Sequence, residues 1–295
     1  MIRRPPRSTL FPYTTLFRSK KRKAARKRLL EVANALLGES LTDYVLIVST
    51  SGRYEFRNKG IDVFVEAMNR LLREKSLKKQ VLAFIEVPGW VGEPRKDLQE
   101  RLSQGASYDT PLEVPQITHW LHNMSHDNVL GMMKYYDMHN RKDDHVKVIF
   151  LPCYLDGQDG IVNMSYYDLV LGNDLCVYPS YYEPWGYTPL EAVAFKVPCI
   201  TTDLAGFGLW ANTEFGHYGE LEDGVKVIHR TDYNYSEVAD AIKDSVAKFS
   251  GMTVKEIDSC RKKAEALSKK ALWSEFIKYY DEAYDIALQK AETRK

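Results

Sequence analysis

The sequence predicts an α/β fold, a doubly wound parallel sheet of the Rossmann-like kind followed by a long C-terminal helix. Three observations predict it. Six short apolar runs, YVLIVS (44–49), VLAFIEV (81–87), VKVIFL (146–151), LCVYP (175–179), CITT (199–202) and VKVIH (225–229), show little polar alternation, as strands covered on both faces do. Amphipathic segments lie between or after them, at 60–74, 95–103, 128–139, 189–195 and 236–249, so strands and helices alternate. The composition, 44% hydrophobic and 27% charged over 295 residues, is that of an ordinary globular chain.

Taken in order, the stretch from Lys20, KKRKAARKRLLEVANALLG, places Leu29, Leu30, Val32, Leu36 and Leu37 near helical spacing behind a basic turn. A basic amphipathic helix also suits a membrane surface, but this apolar face is short and carries no aromatic residue. Residues 86–115, with their prolines and glycines, read as an insertion or long surface excursion. Crossovers in a parallel sheet are right-handed, and ligands gather at the carboxyl ends of its strands.

Several function classes are disfavoured at this level. With 41 basic and 40 acidic residues the net charge is +1, and no nucleic-acid partner is expected without a basic excess on folded surface. No run of about 18 apolar residues exists to form a membrane span. Cys153, Cys176, Cys199 and Cys260 are scattered without a CxxC pair, and the seven histidines show no ligand spacing, so neither a disulfide scaffold nor a metal site is expected.

Residues 1–19, MIRRPPRSTLFPYTTLFRS, carry four arginines, three prolines and no acid. They lack the long apolar core and small-residue cleavage site of a signal peptide. A disordered basic arm and a transit peptide are two readings. A third is that the string resembles the translation of a sequencing adapter, which makes 1–19 an expected artefact, disordered, and the natural chain longer at its N-terminus.

Two loops carry chemistry. After the first apolar run comes STSGRYEFRNKGID (49–62), where Arg53 supplies a fork of donors and Lys59 a point cation near a helix start, a combination suited to a diphosphate. Such residues also pair with surface carboxylates. The second loop, YPSYYEPWGYTPLEA (178–192), reads as a capping box, with Thr188 as N-cap, Pro189 at the first helical position and Glu191 three residues after the cap. The helix start it predicts is an anion site. The capping box accounts for Glu191 by itself, whereas Glu183 has no such local explanation.

GRYEFRNKG, PSYYEPWGYTPLEA and ITTDLAGFG together resemble the glycogen synthase family of the animal and fungal type, retaining glucosyltransferases with the two-domain GT-B fold. The resemblance runs from about residue 20 to about 290 and covers the nucleotide-binding second half of that fold. It implies that Arg53 and Lys59 hold the diphosphate of a nucleotide-glucose donor and stabilise the departing nucleoside diphosphate. Glu183 then faces the glucose ring, and Glu191 accepts from the ribose hydroxyls. The Trp185, Gly186, Tyr187 and Thr188 segment grips the distal phosphate through backbone amides. Tyr166, seventeen residues before Glu183, matches the position where the family stacks its base; taken alone it also reads as a core aromatic.

The implied reaction is glucose transfer from UDP-glucose, or alternatively ADP-glucose, to the 4-hydroxyl end of an α-1,4-glucan acceptor with retention. Neither a cofactor nor a metal is expected to assist, and the full-length enzyme is expected to be a cytoplasmic homo-oligomer. Two departures stand out. The family's N-terminal domain is absent, so this chain is expected to be a fragment, inactive alone. Around Ser259-Cys260-Arg261-Lys262-Lys263, where relatives of that type carry an arginine-rich helix for glucose 6-phosphate, one Arg and two Lys remain. Two alternatives stay open: a nucleotide-sugar-binding module without turnover, and a retaining GT-B transferase with another acceptor.

The expected organisation is a nucleotide-sugar-binding domain over 20–266 and a helix within 267–295. Leu272, Phe276, Tyr280, Tyr284 and Ala287 form a broad apolar stripe on that helix. The stripe either packs on the absent N-terminal domain or folds back on the domain present. Removing residues 1–19 is expected to leave the thermal midpoint unchanged within error; a loss of several degrees would show that they pack.

Overall fold

In the computed structural model, residues 15–75 and 77–294 are described, and all structural statements below concern them. Most of the 1–19 segment therefore lies outside the described residues. From Thr15 the chain is helical, through α1 (Thr15–Leu37).

Six strands form one parallel sheet: β1 (Leu46–Ser51), β2 (Val81–Glu86), β5 (Val146–Leu151), β6 (Leu175–Val177), β7 (Cys199–Thr202) and β8 (Val225–Ile228), in the order β5-β2-β1-β6-β7-β8. Every residue of β1, β2 and β5 is buried, which is why these runs lack polar alternation. From β1 the chain proceeds through α2 (Ile61–Leu71) outward to β2 and β5, then returns to the other side of β1 to lay down β6, β7 and β8. The order thus reverses between β1 and β6, and the loops leaving these two strands diverge around a crevice.

Three apolar clusters cover the sheet. On one face α2 and α8 (Tyr235–Gly251) pack with Phe64, Met68, Val238, Ile242 and Phe249 in the core. On the other, α1 supplies Leu29, Leu36 and Leu37 against Ile47, Phe84 and Ile149. Beside it, α6 (Tyr187–Ala194), α7 (Gly206–Phe215) and α9 (Val254–Lys270) close over β6, β7 and β8.

The 86–115 excursion continues into a small antiparallel pair, β3 (Val91–Pro94) and β4 (His119–Leu121), with α3 (Lys96–Gln104) between them. After it, α4 (Asn128–Tyr135) leads to β5 and α5 (Tyr166–Leu169) to β6. The hairpin strands and α5 have no counterpart in the apolar periodicity, because strands of three or four residues and a one-turn helix are too short to show a period. β1 is shifted two residues later than expected, since Ser49, Thr50 and Ser51 pair with Phe84, Ile85 and Glu86 instead of starting the loop.

The C-terminal helix α10 (Trp273–Glu292) has no buried residue. Only its first turns are anchored, through Phe276, whose ring lies 5.5 Å from Trp185 and 5.7 Å from Trp210. Trp273, Tyr280 and Tyr284 are exposed. All four cysteines are free and buried, and no described helix is long and apolar enough to cross a membrane.

Glu86, at the end of β2, is fully buried and neither carboxyl oxygen has a hydrogen-bond partner among the described residues. Burial pushes its pKa up to about 8 from 4.5, with Asn173 opposing only in part. A carboxyl raised in the fold adds stability that is complete below the unfolded value and lost as pH rises toward the folded one. Glu86→Gln is therefore expected to match the parent near pH 4.5 and to exceed its thermal midpoint at pH 8; superimposable stability profiles from pH 4.5 to 9 would contradict this.

Candidate functional site at the switch point

The loop leaving β1 (52–60) and the loop leaving β6 (178–186) meet across the crevice. Gly60 has φ 68, and a Cβ there would lie 2.0 Å from the Pro179 carbonyl oxygen, so only glycine lets the two loops touch. The Tyr181 amide donates to the Asn58 carbonyl at 2.7 Å. Arg230, at the carboxyl end of β8, donates to the Pro179 carbonyl from beneath.

This close approach brings Lys59 and Glu183 together from 124 residues apart: Nζ donates to Oε1 at 2.5 Å, with side chains 10% and 17% exposed. Ser180 Oγ donates to the other carboxylate oxygen at 3.3 Å, and Thr202 Oγ1 anchors the Ser180 carbonyl at 2.7 Å. The backbone of 183–185 is strapped to the loop after β7, with the Glu183 amide donating to Leu204 and its carbonyl accepting from Gly206. The acid is thereby set on a rigid support.

The start of α6 corrects the capping-box reading. Its N-cap is Gly186, with φ 109, and no side chain caps it. The left-handed entry that glycine permits starts the helix at Tyr187, which places Thr188 inside the first turn. Glu191 is not a cap. Its Oε1 accepts from the Tyr167 hydroxyl at 2.9 Å, and burial raises its pKa, opposed by that bond. The amides of the first turn, with the positive end of the helix dipole, stay open to an anion.

Tyr166 is half-buried on α5, and its hydroxyl accepts from Ser51 Oγ at 3.2 Å, at the very end of β1. Tyr167 beside it is exposed, with ring centroids 5.5 Å apart. Tyr166, Tyr167 and Glu191 thus form a second group on the α5–α6 side of the crevice. Arg53 joins neither group: its side chain is 75% exposed and pairs with Glu55 at 3.1 Å. Trp185 turns its ring away, into the cluster with Phe207, Trp210 and Phe276, so only its backbone faces the α6 entry. Tyr187 is exposed.

Four participants escaped the sequence reading: Tyr167, Ser180, Asn58 and Arg230. Arg230 had a signal, since a basic residue directly after a strand's apolar run falls on the ligand-binding edge.

One trio, His119, Cys153 and Asp159, brings its ligand-type atoms within 4.8 Å of one another. The histidine and the aspartate are already engaged. His119 Nε2 bonds to the Asp159 carbonyl at 2.9 Å and Nδ1 to Thr118 Oγ1 at 2.8 Å. The Asp159 carboxylate accepts from the amides of Ile161, Val162 and Asn163. The trio is a loop clamp.

Because the crevice depends on the contact at Gly60, Gly60→Ala is expected to lower the thermal midpoint by several degrees. A variant that keeps the parent midpoint would show that the loops tolerate separation.

The chain matches the family described as Glycogen synthase over residues 39–93 and 108–295. It is 27% identical over 298 residues to the glycogen [starch] synthase of Neurospora crassa, covering 82% of this chain and 42% of that protein. It is 26% identical over 300 residues to isoform 1 of the Saccharomyces cerevisiae enzyme, with 82% and 42% covered. To the glycogen [starch] synthase of Dictyostelium discoideum it is 28% identical over 305 residues, covering 84% of this chain and 34% of that one. The chain thus spans less than half the length of these relatives. On the extent of the family match, which takes in both loops of the crevice and α6, the chain belongs to the glycogen synthase family.

Proposed function

We propose that this chain forms the nucleotide-sugar half-site of a glycogen synthase. The enzyme transfers glucose from a nucleoside-diphosphate-glucose, UDP-glucose foremost, to the 4-hydroxyl end of an α-1,4-glucan with retention. The observation that carries the reading is the Lys59–Glu183 pair, held at the topological switch point beside the open amino end of α6.

Each group has a role that its environment supports. Lys59 and the first amides of α6 converge on the crevice from opposite loops and suit a diphosphate. Arg53, exposed in the β1 loop, reaches the same anion once its weak surface pairing with Glu55 is exchanged. Glu191 and Tyr167 offer an acceptor and a hydroxyl to the ribose, and Tyr166, half-buried beside Tyr167, offers its ring to the base. Glu183 sits where the sugar carbon meets the leaving diphosphate, and its charge matches an oxocarbenium-like transition state. Positive charge from Lys59, Arg53 and the helix end stabilises the leaving group. The acceptor and the exclusion of water need surfaces beyond this crevice.

The pairing fixes the sign of two mutational effects. Charge-assisted contacts contribute roughly 1.5–3 kcal/mol each, so Lys59→Ala is expected to weaken UDP binding at least about tenfold. It removes a cation and also leaves the Glu183 carboxylate unpaired near the anion. Glu183→Gln is expected to tighten UDP binding, because it frees Lys59 from its partner. Calorimetry with UDP showing unchanged affinity in Lys59→Ala would remove the pair from the donor site and defeat the reading.

A further inference from the structure

The contact between Tyr167 and Glu191 joins α5 to α6 through one side chain at two points. The Tyr167 hydroxyl donates to Glu191 Oε1 at 2.9 Å, while its ring lies 5.8 Å from the Phe195 ring, inclined at 35°. Glu191 and Phe195 stand four positions apart on α6 and its C-cap, so the tyrosine spans one helical turn. Tyr167 is itself held. Ser165 Oγ caps α5 by accepting from the Asp168 amide, Lys21 pairs with Asp168, and the Tyr166 ring packs 5.5 Å away.

The surroundings of Glu191 are apolar and aromatic. It forms part of the wall of a cavity of about 690 Å³ whose other lining residues, Tyr187, Leu190, Trp210, Ser268, Tyr279 and Tyr280 among them, include no lysine, arginine or histidine. From α5, Tyr166 and Tyr167 feel its charge, and burial raises the pKa of both, so they stay neutral. Burial likewise disfavours the Glu191 carboxylate and raises its pKa, and the Tyr167 hydroxyl opposes this.

We propose that Tyr167 is the positioning residue that makes the donor site select ribonucleoside over 2′-deoxyribonucleoside diphosphates, by holding Glu191 as a fixed acceptor for the ribose hydroxyls. The assignment rests on the donor-site reading above and deepens it. With Oε1 taken by Tyr167, Oε2 is the oxygen left to accept, and among the described residues nothing donates to it. A glutamate side chain turns about several bonds, and fixing one oxygen removes that freedom before the ligand arrives. A half-buried carboxylate oxygen placed for a hydroxyl is left unpaired by an analogue that lacks the hydroxyl, which is a strong basis for rejection.

Without the phenol the acid fails in two ways. It turns freely, and burial acts unopposed, so Glu191 protonates at a higher pH than in the parent. A protonated carboxyl offers a donor where an acceptor is needed. The selection is therefore retained above that higher pKa and lost below it.

Calorimetric titration of the 295-residue chain with UDP and with 2′-deoxy-UDP, at pH 6 and pH 8, tests this. Both ligands carry the same diphosphate, so its own titration and its contacts cancel in the ratio of the two affinities. The parent is expected to prefer UDP at least about tenfold at both pH values. Tyr167→Phe keeps the ring on Phe195 and, with it, the parent thermal midpoint. Its preference is expected to fall to within about threefold at pH 6 and to recover toward the parent's at pH 8, whereas Glu191→Gln is expected to lose the preference at both. A parent that binds UDP and 2′-deoxy-UDP equally, or a Tyr167→Phe variant that matches the parent at both pH values, overturns the role of Tyr167 and leaves the donor-site reading standing. A loss in Tyr167→Phe of the same size at pH 6 and pH 8 overturns the positioning role in favour of a direct contact between Tyr167 and the ribose. A parent that binds neither ligand defeats the donor-site reading and this inference with it, so the two failures are told apart.

Discussion

One largely buried carboxylate, Asp174, its side chain 13% exposed, holds the crevice in register. It lies just ahead of β6 and accepts from Arg22 at 2.7 Å, Arg26 at 2.7 Å and Arg261 at 3.1 Å, while the Ile47 amide of β1 donates to it at 2.9 Å. Burial opposes its charge, but Arg26 and Arg22 outweigh that and hold the carboxyl below its usual range. Arg22 also donates to the carbonyls of Leu171 and Asn173, and Arg26 to those of Asp43 and Val45. One acid thus ties α1, β1, β6 and α9 together. Breaking such a buried group costs about 3–5 kcal/mol in comparable settings, because its partners are left uncompensated. The β1–β6 pairing at the switch point, and hence the meeting of the two loops, depends on this hub.

With the strands in register, the electrostatics of the crevice follow from loop geometry. The contact at Gly60 brings Lys59 and Glu183 together so that they neutralise each other, Arg53 pairs with Glu55, and the α6 amino end stays open as a positive feature on that side. Glu191, released from any capping duty by the Gly186 entry, turns to Tyr167 instead.

The aromatic cluster of Trp185, Phe207, Trp210 and Phe276 joins the α6 entry to α7 and α10. Trp185 thus contributes a backbone carbonyl, which accepts from Phe207 at 2.6 Å, and a packed ring, while the neighbouring Gly186 sets the helix direction. Past Phe276, α10 carries Trp273, Tyr280 and Tyr284 on exposed surface, which is the apolar stripe visible in the sequence. Only its first turns find packing on this domain.

By itself the sequence determined the class and most of the sheet. Runs such as VKVIFL and CITT coincide with β5 and β7, because a strand buried on both faces has to be apolar throughout. It also singled out Lys59 beside Gly60 in the loop after β1, and Glu183 as an acid with no local structural explanation, while Glu191 read as part of a capping box. The tertiary structure alone decided what those residues do to one another. Local spacing marks Glu191 as a cap, yet backbone geometry at Gly186 moves the helix start and hands the acid to Tyr167, a residue on another element. The Lys59–Glu183 pair, the Arg230 prop and the Asp174 hub join segments from 51 to 152 positions apart. Such contacts have no periodicity to read, because they exist only once the crossovers bring the strand ends to one edge.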